Sequence, residues 1–137
     1  MTAMTCIKSR IMPLRSCEDI VCLRQTTRSW MVEPRFTLVE QTKMMTATSE
    51  LARNAVNYGG GGSATLELLE ENGRTGIRVV VEDQGPGIAD MEQAMSDNFS
   101  TGQGMGLGLG GAKRLVNEFE IRSEPGKGTV VSITRWK

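Results

Sequence analysis

The chain has 137 residues, which suits one domain, 1–137, built around a single hydrophobic core. Its 16 basic and 16 acidic residues cancel, which excludes the basic field of a nucleic-acid or membrane-surface protein, and no stretch approaches the roughly 20 apolar residues that span a bilayer. There is no histidine, so imidazole bases, phosphohistidine and nearly all zinc sites are ruled out, and the chemistry must come from carboxylates, amides, hydroxyls and backbone N–H groups.

Taken in chain order, "MTCIKSRIMPL" alternates loosely and predicts an edge strand that Pro13 ends. Cys6, Cys17 and Cys22, odd in number and without CxxC spacing, are no disulfide framework. The N-terminus lacks a signal-peptide apolar region, which predicts a cytoplasmic protein. From Ser16 to about Met31 the apolar spacing of Ile20, Leu23, Thr27 and Trp30 predicts a helix, with Ser16 as N-cap and Asp19 in the first turn. After Pro34 comes a longer helix, opened by the capping-box pair Thr37 and Glu40; its predicted apolar stripe is Leu38, Met45, Thr48, Leu51, Ala52, Ala55 and Val56. "GGGG" at 59–62 reads as a C-cap and turn. "SATLELLEE" and "TGIRVVVED", joined by Asn72-Gly73, predict a β-hairpin. "QGPGI" is a loop, "ADMEQAMSD" a short helix and "NFSTGQGMG" a further loop. "LGLGGAKRLVNEF" is predicted helical, with Leu109, Ala112, Val116 and Phe119 on one side. "EIRSE" and "TVVSITRW" around the turn "PGKG" predict a closing hairpin. The fold class expected from this order is α+β: a two-layer sandwich with a mixed, mostly antiparallel sheet and helices on one face.

Three short stretches carry chemistry. Six glycines fall within residues 100–111, just ahead of a helix, although each in a helix interior costs roughly 0.5–1 kcal/mol relative to alanine. Gly106, Gly108 and Gly111 formally satisfy GxGxxG, but the lead-in "DNFSTGQ" is polar rather than a hydrophobic strand, and Gly111-Ala112-Lys113-Arg114 fails the Walker A pattern. The physical rationale survives both rejections, since such glycines leave room for a bulky anion beside backbone N–H groups. The alternative is a glycine-rich helix start packed on a strand. In "SELARN", Glu50 and Asn54 project from one helix face and could act as a base and a hard oxygen ligand, or form a solvated polar face with Arg53. In "VEDQGPGI" a run of valines delivers Asp83 to a loop bracketed by Gly85 and Gly87. An aspartate there can accept a hydrogen bond from an exocyclic amine, or can cap an ordinary turn.

Together, in this order and spacing, the stretches resemble the N, G1 and G2 boxes of the GHKL ATP-binding superfamily (gyrase, Hsp90, histidine kinase, MutL), over roughly residues 35–135. The boxes are Glu50-Leu-Ala-Arg-Asn54, Asp83-Gln-Gly85-Pro-Gly87 and Gly104-Met-Gly106-Leu-Gly108, and the closing "GKGT" supplies Thr129. Within the superfamily the chain looks like the small bacterial serine/threonine kinases of partner-switching pathways, the anti-sigma kinases and, nearest, the stressosome switch kinases of the RsbT type.

The resemblance implies the Bergerat ATP-binding fold, ATP and Mg²⁺, and a role for each matching residue. Asp83 would read the adenine amino group, helped by Thr129 through water, and Gly85 and Gly87 would let base and sugar approach the backbone. Asn54 would bind Mg²⁺, and Glu50 would take the proton from an attacking serine hydroxyl. Ser100, Thr101, Gly102, Gly104, Met105 and Gly106 would form a lid over the phosphates, running into Leu107 and Gly108. The implied substrate is a serine of a STAS-domain antagonist; a PP2C-type phosphatase or a sigma factor is a further implied partner, without nucleic acid or membrane. Two positions depart from the pattern. The lid reads "TGQGMG", with Gln103 where anti-sigma kinases often carry arginine, which leaves the phosphate-stabilising cation unassigned, with Lys113 and Arg114 about two turns into the predicted helix. Asn57 stands where relatives often have a basic residue or histidine. The missing lid arginine keeps open a non-catalytic nucleotide-binding regulator of a phosphatase or sigma factor.

Overall fold

The computed structural model describes residues 4–57, 59–85, 108–124 and 126–137. Among the described residues eight elements follow one another: β1 (Thr5–Leu14), α1 (Cys17–Val32), α2 (Leu38–Asn57), β2 (Gly62–Glu71), β3 (Arg74–Asp83), α3 (Gly108–Arg114), β4 (Glu118–Glu124) and β5 (Gly128–Trp136). The segment expected to hold the short helix at 89–97 and the loop at 98–106 lies outside the described residues.

Both long helices start where their capping residues dictate. The Ser16 hydroxyl accepts from the Asp19 N–H at 3.3 Å, while the Asp19 carboxylate accepts from the Arg15 N–H at 2.8 Å. At α2 the exchange is reciprocal: Glu40 N–H donates to the Thr37 hydroxyl and Thr37 N–H to the Glu40 carboxylate. The hairpin turn is also local chemistry, with Asn72 and Gly73 both at positive φ (56° and 78°), as a two-residue type I′ loop requires.

Among the described residues the sheet order is β1-β2-β3-β5-β4 and every neighbouring pair is antiparallel, in agreement with the mostly antiparallel sheet expected. The reason is topological. β3 and β4 run in the same direction, but β5 returns between them and pairs with both. The helices pack on one face, where Met12 and Leu14, Ala64 and Leu66, Ile77, Val79 and Val81, and Val131 and Ile133 meet Leu23 and Met31 of α1 and Met44, Ala47, Leu51 and Ala55 of α2. The opposite face carries a row of Glu67, Arg78, Thr134 and Glu118, in which Arg78 Nε donates to the Thr134 hydroxyl. No described helix is long and apolar enough to cross a membrane.

Three local expectations are corrected by packing. Leu38 is 70% exposed, because Phe36, just ahead of the helix, fills the buried place at that end and its carbonyl accepts from the Gln41 side chain. The buried stripe of α2 runs instead through Met44, Ala47, Thr48, Leu51, Ala52 and Ala55. On α1, Met31 is the buried residue and Trp30 is only partly covered, with the Lys8 ammonium 4.4 Å from its ring centroid. The helix expected over 107–119 ends at Arg114, and Glu118 and Phe119 belong to β4, opposite Thr134 and Ile133. Asn117 forces that exit: its N–H donates to the Thr134 carbonyl at 2.9 Å, and its side-chain oxygen accepts from the Trp136 N–H at 2.6 Å. Pairing with β5 therefore outcompetes the helical spacing of Val116 and Phe119.

Gly76 is buried beneath the Trp136 ring, and a Cβ placed there would lie 2.6 Å from Trp136 Cε3. Gly76→Ala is expected to cost about 1–3 kcal/mol by forcing the ring off the sheet. Denaturant unfolding followed by tryptophan fluorescence reads the shift in midpoint.

Candidate nucleotide site

The N-box residues sit on the last three turns of α2. Glu50 is 7% exposed although it is a carboxylate, and both its oxygens are engaged. Oε1 accepts from Arg53 Nη1 at 2.6 Å, one turn along the same helix, and Oε2 accepts from the Gly108 N–H at 3.3 Å, at the start of α3. A buried charge needs this kind of compensation. Arg53 is therefore bonded to the residue expected to act as base, rather than only sharing a solvated polar face with it. Asn54 is half-buried, and its amide has no hydrogen-bonding partner among the described residues.

Asp83 ends β3 on the helix-facing side, in step with Val79 and Val81. Its Oδ1 accepts from the Gly85 N–H at 2.9 Å, which holds the carboxylate in a tight turn. The end of α2 comes directly against it. Gly59 N–H donates to the carbonyls of Asn54 and Ala55, and a Cβ on Gly59 would fall within 2.4 Å of Asp83 Cγ. A Cβ on Gly85 would likewise fall 2.5 Å from Gly59 Cα. Two backbones thus meet around one carboxylate with no room for side chains. The glycine run at 59–62 does cap α2, as expected, but its first member also closes this contact, which its sequence gave no sign of.

Thr129 is the cross-strand partner of Asp83 and is buried. Its hydroxyl shares a 2.8 Å hydrogen bond with that of Ser123 on β4, and Ser123 also donates to the Gly128 carbonyl. Gly128 has φ +90°, and a Cβ there would lie 2.2 Å from the Asp83 carbonyl oxygen, so β5 can approach β3 this closely only with glycine. Ser123 stands opposite Thr129 across the β4–β5 hairpin that the turn "PGKG" predicts, but it belongs to no motif that would mark it as part of the site.

The structure therefore gathers Asn54 and Asp83 at the junction of α2 and β3, sets Thr129 beside Asp83, and links Glu50 one turn earlier to Gly108. Gly87, Ser100, Thr101, Gly102, Gly104, Met105, Gly106 and Leu107 lie outside the described residues.

Residues 39–137 match the family described as histidine kinase-, DNA gyrase B-, and HSP90-like ATPase. The chain belongs to that family. As a member of this ATPase family it is 44% identical over 118 residues to the serine/threonine-protein kinase RsbT of Bacillus subtilis, covering 86% of this chain and 89% of that one. It is 32% identical over 106 residues to the anti-sigma F factor of Thermoanaerobacter sp., with 73% of each chain covered. The fold is also that of the mycobacterial sensor histidine kinase MprB, at TM-score 0.54 and 16% identity, over 94% of this chain and 97% of that one. The family and enzyme class expected from the three motifs agree with these relatives.

Proposed function

We propose that this chain is an Mg²⁺- and ATP-dependent protein serine/threonine kinase of a partner-switching pathway, one domain over 1–137, acting in the cytoplasm on a serine of a STAS-domain antagonist. The observation that carries the reading is a buried carboxylate, Glu50, tied to the residue where the glycine-rich segment enters α3, with Asn54 one turn further along the same helix. Burying a carboxylate is costly, and packing alone gives no reason to keep one there.

The residues divide the work by chemistry. Asp83, with Oδ1 held by Gly85, offers Oδ2 to the exocyclic amine of adenine, supported through water by Thr129 and Ser123. Gly59 and Gly85 pack against each other and against Asp83, which fixes the place of the carboxylate. The resemblance assigns the phosphates to the stretch from Ser100 through Gly108, of which Gly108 alone is among the described residues. The Asn54 amide suits Mg²⁺, a hard cation that binds one or two protein oxygens and keeps phosphate and water for the rest; among the described residues no cluster of three or more metal-binding side chains offers a full protein cage. When bound, the ion neutralises phosphate charge. In the transfer, the serine oxygen bonds to the γ-phosphorus, the bond from that phosphorus to the β–γ bridging oxygen breaks, and ADP leaves with the electron pair. Glu50 receives the hydroxyl proton.

A second reading is favoured by the Arg53–Glu50 ion pair, which occupies the base, and by similarity to an anti-sigma factor. It is a nucleotide-binding regulator that holds a sigma factor or a PP2C-type phosphatase without transferring phosphate. Incubation of the purified chain with labelled ATP, Mg²⁺ and STAS-domain proteins encoded near its gene separates the two. The kinase reading expects label on a serine of one of them. No transfer to any of them, with regulation intact in cells carrying Glu50→Ala, would establish the regulator instead.

A further inference from the structure

We infer that Arg53 is a two-position cation: it pairs with Glu50 in the arrangement described above, and moves to the terminal phosphate of ATP, freeing Glu50 to receive the serine proton. The inference rests on the kinase reading above and assigns the phosphate-stabilising cation that the lid motif, with Gln103, does not supply.

Three observations carry it. Arg53 Nη1 and the Gly108 N–H occupy one Glu50 oxygen each, so the base is engaged on both sides. The two partners differ in how firmly they are held. The Glu50 side chain is 9% exposed and the Arg53 side chain 39%, so the carboxylate is fixed by its surroundings while the guanidinium has solvent into which to swing. Finally, Arg53 lies in the same helical turn as Asn54, the residue that would hold Mg²⁺, whereas Lys113 and Arg114 stand in the last turn of α3, about 8 Å along the axis from Gly108.

The exchange is favourable on charge grounds. A planar guanidinium can meet a carboxylate or a phosphate in the same forked geometry, and a terminal phosphate carries more negative charge than the carboxylate it would leave. ADP lacks that phosphate. ATP, and not ADP, should therefore pull Arg53 from Glu50, so that the base becomes available only when a transferable group is present.

Affinities for Mg²⁺-bound non-hydrolysable ATP and for ADP, measured by calorimetry without turnover, test this directly. Arg53→Gln is expected to weaken ATP-analogue binding about tenfold, the loss of one charge-assisted contact, while ADP changes by less than about twofold. Arg53→Lys keeps the charge and should recover part of the difference. Glu50→Gln releases Arg53 and should tighten the ATP analogue about threefold, an effect that disappears when Arg53→Gln is also present. An unchanged ATP-to-ADP ratio in Arg53→Gln, in protein shown to be folded by circular dichroism, overturns the role of Arg53 and leaves the kinase reading standing. Failure of the unaltered chain to bind either nucleotide overturns both.

Discussion

Asp83→Asn is expected to weaken ATP and ADP binding alike, by about 100-fold or roughly 3 kcal/mol. The loss comes from a mismatch of donors and acceptors. The carboxylate has two accepting oxygens, one already taken by the Gly85 N–H and the other available to an adenine amine. Asparagine has a single accepting oxygen and a donating NH₂ group. If the oxygen stays on Gly85, the NH₂ group faces the adenine amine and two donors oppose each other; if the amide turns over, the Gly85 N–H loses its partner. Stability should change little, because the backbone of Asp83 is laddered to Gly62 on one side and Thr129 on the other whatever the side chain. Titration with a fluorescent nucleotide is the check, and affinity retained within a few-fold would undo the adenine assignment.

Glu50→Gln should lower phosphotransfer to the antagonist by about 10²–10⁴-fold, the span of a lost general base. The amide still accepts from the Gly108 N–H and fills the same volume, so the fold and nucleotide binding should persist. That separation distinguishes Glu50 from Asp83: the first change removes transfer from a protein that still binds, the second removes binding itself. Single-turnover transfer from labelled ATP reads it. A rate within a few-fold of the unaltered chain would mean that the carboxylate is structural, serving only to anchor α3 to α2.

Whatever depends on residues adjacent in the chain was legible in the amino-acid order. Ser16 with Asp19 and Thr37 with Glu40 start the two long helices because each pair satisfies N–H groups within one turn. Asn72-Gly73 closes the hairpin because both residues tolerate positive φ. The three glycine- and carboxylate-bearing boxes, read in order, led to the family that residues 39–137 match.

What failed to show in the sequence is whatever depends on which distant element arrives alongside. Helical spacing over Val116 and Phe119 yielded to β5, whose carbonyl and N–H capture Asn117 and turn the chain into a strand. Leu38 matched the apolar period of α2 but lies beyond what the sheet and α1 cover. Gly59 meets Asp83, 24 positions on in the numbering, only because the end of α2 packs against the end of β3. Local sequence settles how backbone groups are paired within a turn, since those partners are always within reach. The sharing of Glu50 between Arg53 and Gly108 was decided by the packing of α2 against α3, because only tertiary structure determines which charges are removed from water together and must neutralise one another.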